Sequence, residues 1–238
     1  MSSEKLPKRK KIDFKSPKLP LIIFIIIFVA VTVVLTVLFW PFIKDLRNPE
    51  YRENFSLWVK ELGFKGWFIL LGLQILQIVV SFIPGGPVEL IAGAAYGAWG
   101  GLGICLAGCV FSASLIFFTV KKFGLPLVKR FFGEENIKTW GFLKDVRKTT
   151  MVVFIVFIIP GTPKDMLTWL GPLSGLSLLQ FVVISTFART PAILCTTIMG
   201  DSMIQGNWIV FLMLFFFTAL IGMLGILFKD KIVKKFSK

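Results

Sequence analysis

Apolar residues fall along this chain in long blocks rather than in alternation. Blocks of about 20 suit membrane-crossing α-helices, whereas a barrel needs strands of about 10 residues that alternate in polarity. The clearest block is 21–40, LIIFIIIFVAVTVVLTVLFW, closing on Trp40, an aromatic ring suited to the membrane–water boundary. It is long for a signal peptide and lacks a small-residue cleavage site, so it reads as a retained first span. Next comes NPEYRENFSLWVKELG. Asn48 can cap a helix, Pro49 suits its first position, and Tyr51, Phe55, Trp58, Val59 and Leu62 recur on one face before Gly63 ends it. This predicts an amphipathic helix lying on the membrane surface. A weaker pattern of the same kind surrounds Ile137, Trp140 and Val146. Further spans are predicted at about 101–120, 178–199 and 207–228.

Two apolar stretches are broken. Residues 66–83 run into Pro84, Gly85, Gly86 and Pro87, and the apolar residues after them, 88–100, are glycine-rich. Further on, only nine apolar residues, Met151 to Ile159, precede Pro160, Gly161, Thr162 and Pro163. Nine helical residues rise about 14 Å, against a hydrocarbon core of about 30 Å. They cannot cross; they can enter, turn at the prolines and leave by 164–175. The two breaks also align with each other. FIPGGPVEL at 82–90 matches IIPGTPKDM at 158–166 with a constant offset of 76, pairing Glu89 with Asp165. Each motif, PGxPx[DE], precedes a small-residue stretch and then a span.

Charge sets the orientation. Seven Lys/Arg face two acids in 1–20, eight face three in 121–150, and five face one in 229–238. The segment 41–66 is nearly balanced, five against four. All three basic blocks fall on the cytoplasmic side only if residues 66–100 form a hairpin that returns to the face it entered. The two hairpins then enter from opposite faces. The resulting fold is an all-α integral membrane protein. It has four full transmembrane helices, two inverted re-entrant helical hairpins and an amphipathic interfacial helix. A basic tail at 1–20 precedes one membrane domain at 21–228, with repeats at about 66–120 and 151–199, and a second basic tail at 229–238 follows. Both termini are cytoplasmic. Inverted repeats with broken helices meeting near the midplane build many secondary transporters, and irregular backbone at that depth needs a buried or wet setting.

Composition narrows the chemistry. The 238 residues are 55% hydrophobic, above the roughly 45–50% of soluble domains. Histidine is absent, which removes histidine triads, HExxH zinc sites and histidine proton relays. The three cysteines make no disulfide framework, and Cys105 and Cys109, one turn apart, lack two further metal ligands. They read as small packing residues; no metal or cofactor is expected, and no enzymatic activity. The net charge of +14 sits beside the spans, so it points to membrane topology and anionic lipid rather than nucleic acid.

Four ionisable residues fall within the apolar elements: Glu89, Lys164, Asp165 and Arg189. A charge at a helix centre in the bilayer costs roughly 2.5–3.5 kcal/mol on insertion scales, which makes each a functional candidate. Glu89 can bind a proton or pair with Arg189 or Lys164. Asp165 is its counterpart in the second motif. Lys164 can snorkel or pair locally. Arg189, before Pro191 in a span, offers a planar fork of donors to a phosphate. Gly93, Gly97, Gly101 and Gly108 are read as close helix-packing positions.

The run FIPGGPVELIAGAAYGAWGGLGICLAG, followed by a second PGTP break, resembles the DedA superfamily in its VTT-domain (SNARE-associated Golgi protein) branch, over roughly 45–228. The resemblance implies opposed re-entrant hairpins, lipid movement between leaflets, and a bacterial cytoplasmic membrane. It implies membrane lipids as partners, anionic or phosphate-bearing, together with protons; a homo-oligomer is a further expectation. Glu89 matches the family's hairpin carboxylate. The second motif departs from the pattern. Where many members carry arginines three residues either side of the proline, this chain has Phe157 and Pro163. The expected function is a lipid transporter. A proton-coupled exporter of a small solute and a non-transporting scaffold are the alternatives.

Overall fold

The computed structural model describes residues 44–81, 83–132 and 164–236, with 33, 34, 37, 40, 41 and 157 besides. It is all-α among the described residues: α1 (Pro49–Val80), α2 (Gly85–Phe132), α3 (Lys164–Leu170) with a 3-10 turn at Gly171–Ser174, α4 (Leu178–Ile204) and α5 (Trp208–Phe236). Three helices, Pro49–Val80, Gly85–Gly124 and Leu178–Ile204, are long and apolar enough to cross a membrane. The first predicted span, the segment around Ile137, Trp140 and Val146, and the turn residues Pro160, Gly161 and Pro163 lie outside the described residues. Of the first span only Val33, Val34, Val37 and Trp40 are described, all helical.

The start of α1 follows its sequence signals. The Asn48 side chain accepts a hydrogen bond from the Glu50 N–H at 3.0 Å, and Pro49 takes the first position. Gly63 interrupts the helix with φ +47°, separating 49–62 from an arm at 64–80. That arm ends at a left-handed Ser81, whose N–H reaches the Gln77 carbonyl at 2.9 Å. The chain then turns before Gly85. Gly85, Gly86 and Pro87, expected in the turn, instead form the first turn of α2; only Pro84 stays outside it. First-turn N–H groups have no intrahelical acceptor, so Pro87 sits there without losing a bond.

The long α2 is three helical pieces. Gly97 (φ +72°) and Gly124 (φ +67°) divide it into 85–96, 98–123 and a short end. Gly97 was expected to be a packing glycine; it is an elbow, in backbone geometry that a side chain would strain. A Cβ on Gly101 would stand 2.6 Å from the Ala92 carbonyl carbon and the Gly93 nitrogen. Nine helical residues would separate these positions by about 13 Å, so the chain reverses at Gly97.

Residues 64–80 and 85–96 thus form a hairpin whose ends lie at one level. The Tyr96 hydroxyl donates to the Gly63 carbonyl at 2.9 Å. Eleven residues inward along two helices, Gly108 meets Gln74, where an added Cβ would lie 2.9 Å from the Gln74 Cβ. Exposed Trp58, Phe64 and Trp99 mark this end of the bundle, and Lys121 and Lys122 the other.

The α4 helix opens on a capping box. The Gln180 N–H donates to the Ser177 hydroxyl and the Ser177 N–H to the Gln180 side chain. Its far half lies along 85–96 with backbones in contact: a side chain on Gly93 would strike the Thr197 backbone, and one on Gly200 the Leu90 carbonyl. Glycine allows this approach, which supplies dispersion contact where lipid offers no hydrophobic drive. Beyond it, Asp201 accepts from the Ala98 N–H at 3.2 Å and from Gln205 at 2.8 Å. A carboxylate from α4 thereby caps the first free N–H after the Gly97 elbow. The core runs through all these pieces, with Ile78, Ala92, Ile104, Cys105, Ile116, Phe157 and Ala188 at 0–1% exposure.

Candidate functional site

The site lies where α3 meets α4 and the 85–96 arm. Asp165 is 12 residues before Ser177 and Arg189 is 12 after it, so a reversal near Ser177 brings them level. Gly175 (φ +79°) makes that reversal, and Gly171 packs on the Phe181 ring across it. Arg189 Nη1 donates to Asp165 Oδ1 at 2.7 Å, and Nη2 donates to the Thr168 hydroxyl. Thr168 in turn donates to the Lys164 carbonyl at 3.0 Å. The guanidinium carbon lies 4.9 Å from the centre of the Phe157 ring. Arg189 is therefore held by an ion pair, a hydroxyl and an aromatic face, at 6% exposure.

The second break also finishes the first. The last carbonyls of a helix have no intrahelical donor. In α1, Gln77 is satisfied by the Ser81 N–H, Ile78 by the Ser81 hydroxyl at 3.0 Å, and Val79 by the Trp169 indole N–H at 3.2 Å. The last of these comes from α3, so α3 is hydrogen-bonded to the end of the 64–80 arm.

Glu89, on the 85–96 arm, lies within coulombic reach of Lys164, Asp165 and Arg189, with the Thr196 side chain beside it. All four sequence-selected charges are thus brought together, from α2, α3 and α4. They are not equally engaged. Asp165 and Arg189 pair, while neither Glu89 nor Lys164 has an ion pair at contact distance among the described residues. Cys105 and Cys109 are free, buried and packed in the core as expected; the Cys109 thiol lies near Gln74 and within reach of the charges. No cluster of three metal-ligating side chains occurs among the described residues.

Sequence reasoning passed over Gln74 and Gln77. They are 1% and 2% exposed, and the side-chain oxygen of each has no hydrogen-bond partner among the described residues. Gln77 lies against Gly85, its side chain 3.1 Å from where a Cβ would stand, and Gln74 lies against Gly108. The available signal was their i, i+3 spacing inside LGLQILQIVV, which puts both amides on one face of an apolar helix.

Long apolar helices surrounding a buried cluster of opposite charges define an integral membrane protein of transporter-like build. The chain belongs to the VTT-domain family, the domain of the DedA/SNARE-associated Golgi proteins, which it matches over residues 83–202. The match holds the first break's return arm, the 98–123 helix, the second break and nearly all of α4. The 64–80 arm, with Gln74 and Gln77, lies before it. No curated protein and no solved structure matches the chain.

Proposed function

We propose that this protein moves a phospholipid or polyprenyl-phosphate headgroup between the leaflets of a bacterial cytoplasmic membrane. The observation that carries this reading is the meeting of Glu89, Lys164, Asp165 and Arg189 where α3, bonded to the end of the 64–80 arm, faces α4 and the 85–96 arm. In the membrane the two broken elements are opposed re-entrant hairpins. The 85–96 arm rises about 18 Å, a little over half the hydrocarbon core, and 98–123 about 39 Å, enough to cross it. With the spans at 21–40, 178–199 and 207–228, that makes four. Trp58, Phe64 and Trp99 sit at the outer boundary, and the basic blocks and both termini face the cytoplasm.

The charges divide the work. Arg189, fixed by Asp165, Thr168 and Phe157, supplies a rigid positive field, and Lys164 remains for direct contact with the phosphate. Glu89 carries the proton or the cationic part of the headgroup. The acyl chains stay in lipid throughout. The scaffold reading predicts that Glu89, Asp165 and Arg189 all pair off in a dry core; Asp165 and Arg189 pair with each other, while Glu89 makes no ion pair at contact distance among the described residues. Purified protein in liposomes tests the proposal by headgroup translocation. Wild type is expected to move labelled lipid, and Glu89→Gln to slow it about tenfold or more, a loss of about 1.4 kcal/mol at the barrier. Equal rates would remove Glu89 from the mechanism, and a wild type that moves no lipid would end the proposal.

A further inference from the structure

The buried oxygens of Gln74 and Gln77 have no role in the charged cluster, and they are costly to leave unpaired. An unsatisfied buried acceptor costs about 1–3 kcal/mol, and an apolar side chain of the same shape would avoid it. Both stand in the seam between the 64–80 arm, the start of 85–96 and the 98–123 helix. Small residues line that seam: Gly85 against Gln77, Gly108 against Gln74, and Cys109 beside Gln74. Glu89 is one turn beyond Gly85 and so shares its face of the arm. Cys109 lies near Gln74 and within coulombic reach of Glu89, so the amides and the carboxylate border one region.

All three groups offer acceptor oxygens. Each amide also carries N–H donors, and Gln74 turns its own toward the Cys109 thiol, but the two amide oxygens find no donor among the described residues. The unmet groups are thus acceptors, which suit a ligand that brings its own N–H or O–H groups.

We infer that Gln74 and Gln77 are specificity-determining residues that select headgroups bearing hydrogen-bond donors over fully methylated ones. The inference rests on the lipid-moving function proposed above. A site built to hydrogen-bond a donor rejects an analogue lacking it, because its own polar groups are then left buried and unpaired. An ethanolamine or glycerol headgroup satisfies the oxygens; a choline headgroup, with three methyls on nitrogen, cannot.

The test uses full-length protein in phosphatidylcholine vesicles. Each preparation carries a trace of ethanolamine, glycerol or choline phospholipid with the same fluorophore on its acyl chain. Wild type is expected to move the first two about tenfold faster than the third, the worth of roughly one buried hydrogen bond. Gln74→Met/Gln77→Met keeps volume and removes the oxygens. It is expected to bring the three rates within about twofold while melting no lower than wild type, since a lost orphan acceptor costs nothing. Wild type that moves choline as fast as ethanolamine and glycerol would overturn the inference. So would a variant that keeps the wild-type ratio, or one that melts lower, which would mean the oxygens serve the fold. These results leave lipid movement itself standing; a wild type that moves none of the three headgroups would reject the function and the inference together.

Discussion

The two breaks share a motif but treat their carboxylates differently. Asp165 is tied to Arg189 at 2.7 Å, and Thr168 and Phe157 complete the grip. Glu89, its counterpart at the same place in the repeat, has no ion pair at contact distance among the described residues, and two unpaired amide oxygens lie along its hairpin. The repeat thus places a carboxylate at the same position twice, and among the described residues only the second is paired with an arginine. A buried ion pair is a poor source of stability but a costly thing to break from one side. At the other break Glu89 has the Thr196 side chain beside it and makes no ion pair at contact distance among the described residues.

Stability measurements would test this division most severely at the ion pair. Asp165→Asn leaves the Arg189 guanidinium buried without its counter-charge and is expected to destabilise by about 3–5 kcal/mol, read as a fall in melting temperature in detergent. Glu89→Gln, by contrast, is expected to shift melting little while slowing lipid movement. If the two substitutions cost the same, the contrast between the breaks is wrong. The elbow comes next. Gly97→Ala places a side chain at φ +72°, ψ 171°, a region nearly confined to glycine, and is expected to cost about 1–3 kcal/mol. Loosening the hairpin without touching a charge should reduce transport less than stability. The smallest effect belongs to Tyr96→Phe, which removes only the bond to the Gly63 carbonyl, worth about 0.5–1.5 kcal/mol. A larger loss there would make the hairpin mouth, and not its tip, the point that holds the element together.

Much of this architecture was legible because membrane helices declare themselves through local chemistry. Asn48, Pro49 and Gly63 set the bounds of the 49–62 helix, and the observed α4 begins at Leu178 as expected. The reversal at the first break followed from the basic loops, which share the cytoplasmic side only if that arm turns back; the second followed from an arm too short to cross, and its turn lies outside the described residues. The pairing was harder to read. Asp165 meets Arg189 because both lie 12 residues from one reversal, and that register depends on where Gly175 turns the chain. Gly97 was misread because its neighbours, from Ala94 to Gly101, are mostly small, and backbone conformation leaves no mark in composition. Gln74 and Gln77 escaped for another reason. They carry no charge, and a hydropathy average over their helix absorbs them.

Asp201 also bears on how the protein is made. Its carboxylate caps the Ala98 N–H across a separation of 103 residues. At a synthesis rate of about 5–20 residues per second, the Ala98 end waits roughly 5–20 s for the residue that completes it. During that interval the helix end lacks its side-chain cap, and Gly93 has no Thr197 to rest on. The first repeat is therefore completed only when α4 is made, and a chain ending before Asp201 is expected to be less stable in detergent than the full chain.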